Sequence, residues 1–301
     1  MLHNNKDVFE QVILKVSEET GIEASIIEKD YYVTIFLKDI VELQPEIIFK
    51  GGTSLSKCYK LINRFSEDID LNIDTEAKPT ESQRKNLKRN IVSIIDKFQF
   101  TLDNADNVKS RRDYNRYIID YPTIFPSDYL KEHLIVETAV YIKAYPYKRM
   151  TASSIIYDYL NKNGYDDLIK EYDLEPFELN VQSAERTFID KLYALGDYYL
   201  SDAVHEHSRH IYDLYKLSEI VILNDELKQL VNEVYTERKP HTQCRSAKDG
   251  IDMNILLQEI IDKDIYKKDY EEITSKMLFE DAPYETAKEA LQKIINFKLF
   301  W

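Results

Sequence analysis

The sequence predicts an α+β protein, with a small mixed sheet and helices in the first half and a mostly α-helical second half. Three observations predict it. Short β-branched or alternating runs such as EIIFK (Glu46 to Lys50) and FSEDIDLNI (Phe65 to Ile73) fall in the first half. From about Ser153 onward apolar residues recur at helical spacing, apart from one extended piece at Phe177 to Gln182. No fixed-period repeat or low-complexity linker interrupts the 301 residues, enough chain for one large domain or two modest ones.

Taken in order, VFEQVILKVSEETG spaces its apolar residues as a helix and ends at Gly21, a plausible C-cap. IEASIIEKDYYVTIFLKDIVEL continues as a second amphipathic helix until Pro45 breaks it. EIIFK then reads as a strand. Thr53 or Ser54 caps a helix through about Asn63. In FSEDIDLNI, Ile69, Leu71 and Ile73 alternate with Asp68, Asp70 and Asn72, the mark of a half-buried strand. Residues 81–98 form another helix, and strands follow at Tyr114 to Tyr121 and His133 to Ala144. The expected division is 1–150 for the sheet-bearing domain and 151–301 for the helical one.

Composition excludes several classes. Hydrophobic residues make up 44% and charged residues 31%, an ordinary soluble balance. No run approaches about 18 apolar residues, and the polar start MLHNNKDVFEQV has no signal-peptide core. The expectation is a cytoplasmic protein without a membrane partner. Cys58 and Cys244 form no metal-like pair, and the loop HEHSRH, with His205, His207 and His210, lacks the further ligand a zinc site needs. It reads as a solvated loop. There is no G-x-S-x-G, no Walker-type GK[ST] and no dinucleotide fingerprint.

Net charge is −14, which on its face opposes a nucleic-acid partner. The distribution is uneven: residues 81–150 hold 13 Lys/Arg against 9 Asp/Glu. RKNLKR, KSRRDYNR and YIKAYPYKR interleave basic and aromatic residues there, a pattern that suits phosphate contact with stacking and equally suits solvated faces.

One stretch carries chemistry. Asp68 and Asp70 are two apart on a strand, so both carboxylates leave the same face. Carboxylates that close repel unless a proton or cation lies between them. A hard divalent ion such as Mg²⁺, held by one or two carboxylates plus substrate phosphates, resolves the conflict. Glu137 in HLIVETAV supplies a third carboxylate if its strand pairs beside the first. Upstream, Gly51 and Gly52 let the backbone approach a phosphate, and Thr53 and Ser54 offer amides and hydroxyls at a helix start. A solvated strand face and an ordinary turn would explain each piece alone. Together they describe metal-assisted attack on a nucleoside triphosphate.

KGGTSLSK followed by RFSEDIDL resembles the signature of the DNA polymerase β-like nucleotidyltransferases, and within them the AbiEii/AbiGii toxin family of type IV toxin–antitoxin and abortive-infection systems. IEKDYYVTIFL (Ile27 to Leu37), AERTFIDKLYAL (Ala184 to Leu195) and RHIYDLYKL (Arg209 to Leu217) are similar to further motifs of that family. The resemblance implies a polymerase β-like nucleotidyltransferase domain followed by a helical domain, with the nucleotide between them. Gly51, Gly52, Thr53 and Ser54 would bind the triphosphate. Asp68, Asp70 and Glu137 would hold Mg²⁺, with Mn²⁺ as a substitute. Ser66 would face the nucleotide and Arg64 would reach a phosphate. Lys191 would neutralise the triphosphate, and Asp213 would act as an acceptor-orienting or base residue. Asp190 and His210 depart from the family pattern, standing where glutamate and an acid are usual.

The expected reaction is transfer of a nucleoside monophosphate from an NTP to the 3′ end of tRNA, which would halt translation and growth under the control of a cognate antitoxin. The alternatives are transfer to a protein hydroxyl, or a catalytically inactive nucleotide-binding protein.

Overall fold

In a computed structural model, which describes residues 1–66, 68–75, 79–127 and 130–300, the N-terminal pattern folds as the periodicity predicts. Helix α1 (Lys6–Thr20) opens on Asn5, whose side chain accepts from the Val8 amide, and closes at Gly21 in the left-handed region at φ +73°. Helix α2 (Ala24–Leu43) buries Tyr31, Tyr32, Phe36 and Leu37 almost completely. Strand β1 (Ile47–Lys50) leads straight into α3 (Gly51–Lys57), and β2 (Asp68–Ile73) follows. Next come α4 (Glu81–Lys97), β3 (Thr101–Leu102), β4 (Tyr114–Asp120), β5 (His133–Ala139) and β6 (Tyr147–Ala152). Helices α5 (Ile155–Lys162) and α6 (Asp166–Glu171) precede β7 (Phe177–Gln182).

The strands form one mixed sheet, in the order β3-β4-β5-β2-β1-β7-β6. β2 is central, antiparallel to β1 and parallel to β5, while β4 runs antiparallel to β5. Register sets the faces. Phe49 pairs with Leu71, Ile69 with Val136, and Val136 with Tyr117, all buried, so one face is an apolar row. Full burial of such a side chain contributes about 1.5–3 kcal/mol. The opposite face carries Lys50, Asp70, Glu137 and Arg116 side by side across β1, β2, β5 and β4.

The IEKD stretch on α2 fastens this frame. The fully buried Glu28 carboxylate accepts from the Thr123 hydroxyl (2.8 Å) and from the Ile124 (2.8 Å) and Phe125 (3.1 Å) amides. Lys29 donates to the Lys131 carbonyl at 2.6 Å. Asp30 meets Lys57 at 2.5 Å and accepts from the Ile155 amide at 2.8 Å.

The chain divides into two compact units. The first is Met1–Cys58 with Ser66–Val181, the second Tyr59–Phe65 with Gln182–Trp301. The division thus falls after Val181 and not at residue 150, because β7 pairs with β1 and belongs to the sheet. Other differences are local. The helix at the glycine pair starts at Gly51 and stops at Lys57, shorter than the 53–63 expected, since the chain then leaves for the second unit. β5 ends at Ala139. β6, with the half-exposed sequence YKRMTA, shows no clean alternation because it lies at the sheet edge.

In the second unit, α7 (Ala184–Leu200) packs on α8 (Arg209–Leu217), α9 (Asp225–Arg238) and α10 (Met253–Asp262). A short α11 (Lys267–Glu272) and the final α12 (Tyr284–Asn296) complete it, with α12 against α8. Phe188, Leu192, Leu195, Ile211, Leu214 and Leu291 form its dry centre. No helix among the described residues is long and apolar enough to cross a membrane.

Candidate active site

The first unit gathers its candidate site residues at the β1–α3 junction and along β2. Gly51 takes φ +77°, a conformation an L-residue adopts only at a cost of about 1–2 kcal/mol. It also lies against the carboxylate of Asp70: a Cβ built on Gly51 would stand 2.0 Å from Asp70 Oδ2. The neighbour that requires a glycine here is the second aspartate of DID. Gly52 is half-buried beside it. Thr53 and Ser54 turn inward. Ser54 is fully buried and donates to the Gly51 carbonyl at 2.8 Å, whereas Thr53 pairs with the half-buried Ser66 hydroxyl at 3.0 Å. Their hydroxyls hold the turn in shape, and Gly51, Gly52 and Ser66 are half-buried beside them. Glu67, between Ser66 and Asp68, lies outside the described residues.

Asp68 and Asp70 leave the same face of β2, both half-buried, and Glu137 stands in register with Asp70 on β5. Burial, and next the charge of Asp68, push the Glu137 carboxyl above the usual carboxylate range. Cations frame this acidic row. Lys50 is the register partner of Asp70, and Arg116 Nε lies 3.6 Å from Glu137 Oε1. Tyr114 hydrogen-bonds to Glu137, and burial followed by the Glu137 charge raises its phenol. The sequence set Tyr114 and Arg116 in the basic and aromatic run KSRRDYNR and Lys50 in KGGTSLSK, but gave none of them a place beside the acids. The alternation of Tyr114 and Arg116 along β4 was readable, but the register that sets Arg116 beside Glu137 is a long-range property.

Among the described residues no three His, Cys, Asp or Glu side chains are gathered closely enough to hold a metal ion by themselves. The donor set nonetheless fits a hard divalent cation of the Mg²⁺ kind, which takes one or two carboxylates, keeps water and completes its shell with substrate phosphate. A Cβ at residue 51 would collide with Asp70 Oδ2, so the glycine lets this carboxylate lie directly against the start of α3, beside the backbone amides there.

The second unit holds a separate cluster. Asp213 on α8 is fully buried and grips Arg64 through both oxygens, at 2.7 Å (Nε to Oδ1) and 2.8 Å (Nη2 to Oδ2). Lys191 Nζ on α7 donates to Oδ2 at 2.5 Å, and Arg64 Nη1 donates to the Phe65 carbonyl. Burial alone would raise the Asp213 carboxyl, but the Arg64 and Lys191 charges outweigh it and hold it well below the usual range. Burial, joined by Arg64, lowers Lys191 despite Asp213. A general base works best with a pKa near the operating pH. Asp213, acidic and enclosed by two cations, is suited to positioning Arg64 and Lys191 instead.

The neighbouring departures from the family pattern have structural explanations. Asp190 joins a second ionic network, meeting Arg186 at 3.3 Å and Arg238 at 3.4 Å. His210 is half-buried, and burial followed by Lys191 drops its pKa well below the ordinary value. The HEHSRH segment is less solvated than expected, because His207 stacks on Tyr198 with centroids 3.5 Å apart. Of the basic stretch, Arg84 pairs with Asp113, Lys85 and Arg111 with Glu81, and Lys88 with the Val108 carbonyl. Much of its charge is thus used within the chain.

Comparison with known proteins gives the lineage. The chain is similar in structure to MenT4, a nucleotidyltransferase toxin from Mycobacterium tuberculosis, with TM-score 0.54 and 15% identity over 95% of this chain and 88% of that one. It also matches JHP933 from Helicobacter pylori, with TM-score 0.46 and 20% identity over 90% and 94% of the two chains. No curated protein matches the sequence. The profile described as nucleotidyl transferase AbiEii toxin, type IV TA system, matches residues 35–293. With that match covering most of its length, the chain belongs to the AbiEii family of nucleotidyl transferase toxins.

Proposed function

We propose that the protein transfers a nucleoside monophosphate from an NTP to the 3′ end of tRNA, releasing pyrophosphate, and that this arrests growth until a cognate antitoxin intervenes. The observation that carries the reading is Gly51, bare of a side chain and pressed against Asp70 at the end of an acidic strand row. A triphosphate needs backbone without bulk, and beside it carboxylates that share a cation with it.

In this reading the Gly51–Gly52 backbone and Ser66 receive the phosphates. Asp68 and Asp70, with Glu137 beside them, hold the Mg²⁺, which when bound neutralises charge on the reacting phosphate. In the second unit, Asp213 fixes Lys191 and Arg64 in place. The acceptor oxygen attacks the α-phosphorus, forming the new P–O bond as the bond to the β-phosphate oxygen breaks. The hydroxyl proton passes to solvent. Catalysis is positioning and charge neutralisation.

The test incubates the protein with Mg²⁺, total tRNA and each α-labelled NTP in turn, beside an Asp68→Ala/Asp70→Ala variant. Label on RNA with one NTP, absent in the variant, is the expected result. Absence of label on RNA with all four removes the tRNA acceptor, and label on a protein would move the reaction to a protein hydroxyl.

A further inference from the structure

Phosphoryl transfer runs in line, with entering and leaving oxygens on opposite sides of the phosphorus. The sheet order therefore says where the acceptor comes from. The glycine turn that would anchor the leaving pyrophosphate is attached to β1, and the acids follow on β2 and β5. The far side of the row is β4, and its outward face beside Glu137 presents two side chains, Tyr114 and Arg116. Both are open to solvent: Tyr114 is 43% exposed, and the Arg116 side chain is 44% exposed. Arg116 stands off Glu137 at 3.6 Å, longer than a direct hydrogen bond, so its remaining donors are available to another anion.

We infer that Tyr114 and Arg116 form the acceptor platform, Tyr114 stacking on the terminal base of a polynucleotide and Arg116 contacting the phosphate behind it. This rests on the nucleotidyl-transfer reading and adds the acceptor's recognition to it. A flat half-exposed ring next to a guanidinium on a strand is the pairing that single-stranded nucleic acid uses, with stacking for affinity and charge for the backbone. A protein acceptor has no base for the ring to receive.

The experiment measures transfer with total tRNA and the NTP the wild type uses, varying each substrate, for Tyr114→Ala, Tyr114→Phe, Arg116→Ala and Arg116→Lys. Circular dichroism establishes that each variant folds. Loss of one stacked base predicts a roughly tenfold rise in the KM for tRNA in Tyr114→Ala, with the KM for NTP unmoved. Tyr114→Phe rescues, because the ring and not the hydroxyl does the stacking. Arg116→Ala weakens tRNA binding, measured by fluorescence anisotropy without NTP, and lowers its salt slope by about one. An unchanged KM for tRNA in Tyr114→Ala overturns the inference. So does a Tyr114→Phe defect equal to that of Tyr114→Ala, which would mean the phenol acts through Glu137. If the wild type labels a protein and no RNA, the transfer reading survives with a different acceptor and the platform falls.

Discussion

Two residues, Gly51 and Asp213, carry the predictions at the residue scale. Gly51→Ala must place a Cβ in a left-handed backbone and inside van der Waals range of Asp70. The expected outcome is a loss of about 1–2 kcal/mol in stability and a much larger loss of nucleotidyl transfer, because the carboxylate has to move. A thermal melt beside the labelled-NTP assay checks both, and equal transfer by the variant would refute the phosphate-cradle reading. Asp213 is the second. Asp213→Asn leaves two buried cations facing a neutral amide, which should destabilise by about 3–5 kcal/mol. The sign with pH follows from the depressed carboxyl. Asp213 is more acidic folded than unfolded, so its contribution is complete above the ordinary carboxylate value, near pH 4, and fades as pH falls below it. Melting curves from pH 7 down to pH 3 should bring wild type and Asp213→Asn closer together at the acid end, and a gap that widens there would contradict the assignment.

At the scale of elements, α2 and α4 carry opposite lessons about what a sequence discloses. α4 was legible as a helix over 81–98, and the structure adds its cap: Thr80 accepts from the Gln83 amide while Gln83 reaches back to the Thr80 amide, a capping box. Thr80→Ala should cost about 1 kcal/mol, read from the denaturation midpoint. α2 was legible as an amphipathic helix, but IEKD gave no hint that Glu28 would cap the loop at 123–125, about 95 residues downstream. Glu28→Ala strips three donors of their acceptor, and a loss on the order of 3 kcal/mol is expected in the same assay. The same division runs through the site. DID on an alternating strand and GG before a helix are local patterns, and the sequence carried them. The neighbours of those residues on other strands depend on register, so the places of Lys50, Tyr114 and Arg116 beside the acids stayed hidden although each lies in a recognisable strand. β6 escaped because an edge strand need not alternate.

For the whole molecule, the connectivity was the least legible feature. Seven residues, Tyr59–Phe65, leave the first unit between α3 and β2 and belong to the second. Within that unit Arg64 binds Asp213, the Asn63 amide donates to the Tyr212 hydroxyl, and Arg64 bridges to Leu278. No local pattern announces an excursion of this kind, since its partners lie far along the chain. A fragment of residues 182–301 lacks it, and Asp213 there keeps one of the two cations that hold it. Such a fragment should lose a cooperative thermal transition, as followed by calorimetry, whereas the full chain keeps one.

The excursion also sets an order of events during synthesis. Arg64 leaves the ribosome 149 residues before Asp213. At about 5–20 residues per second, the guanidinium spends roughly 7–30 s without its carboxylate. Asp68 and Asp70 are already outside during that interval, but Lys191 and its counter-ion are not yet joined to Arg64. The nascent polypeptide thus has its acidic strand early and its buried cationic cluster late.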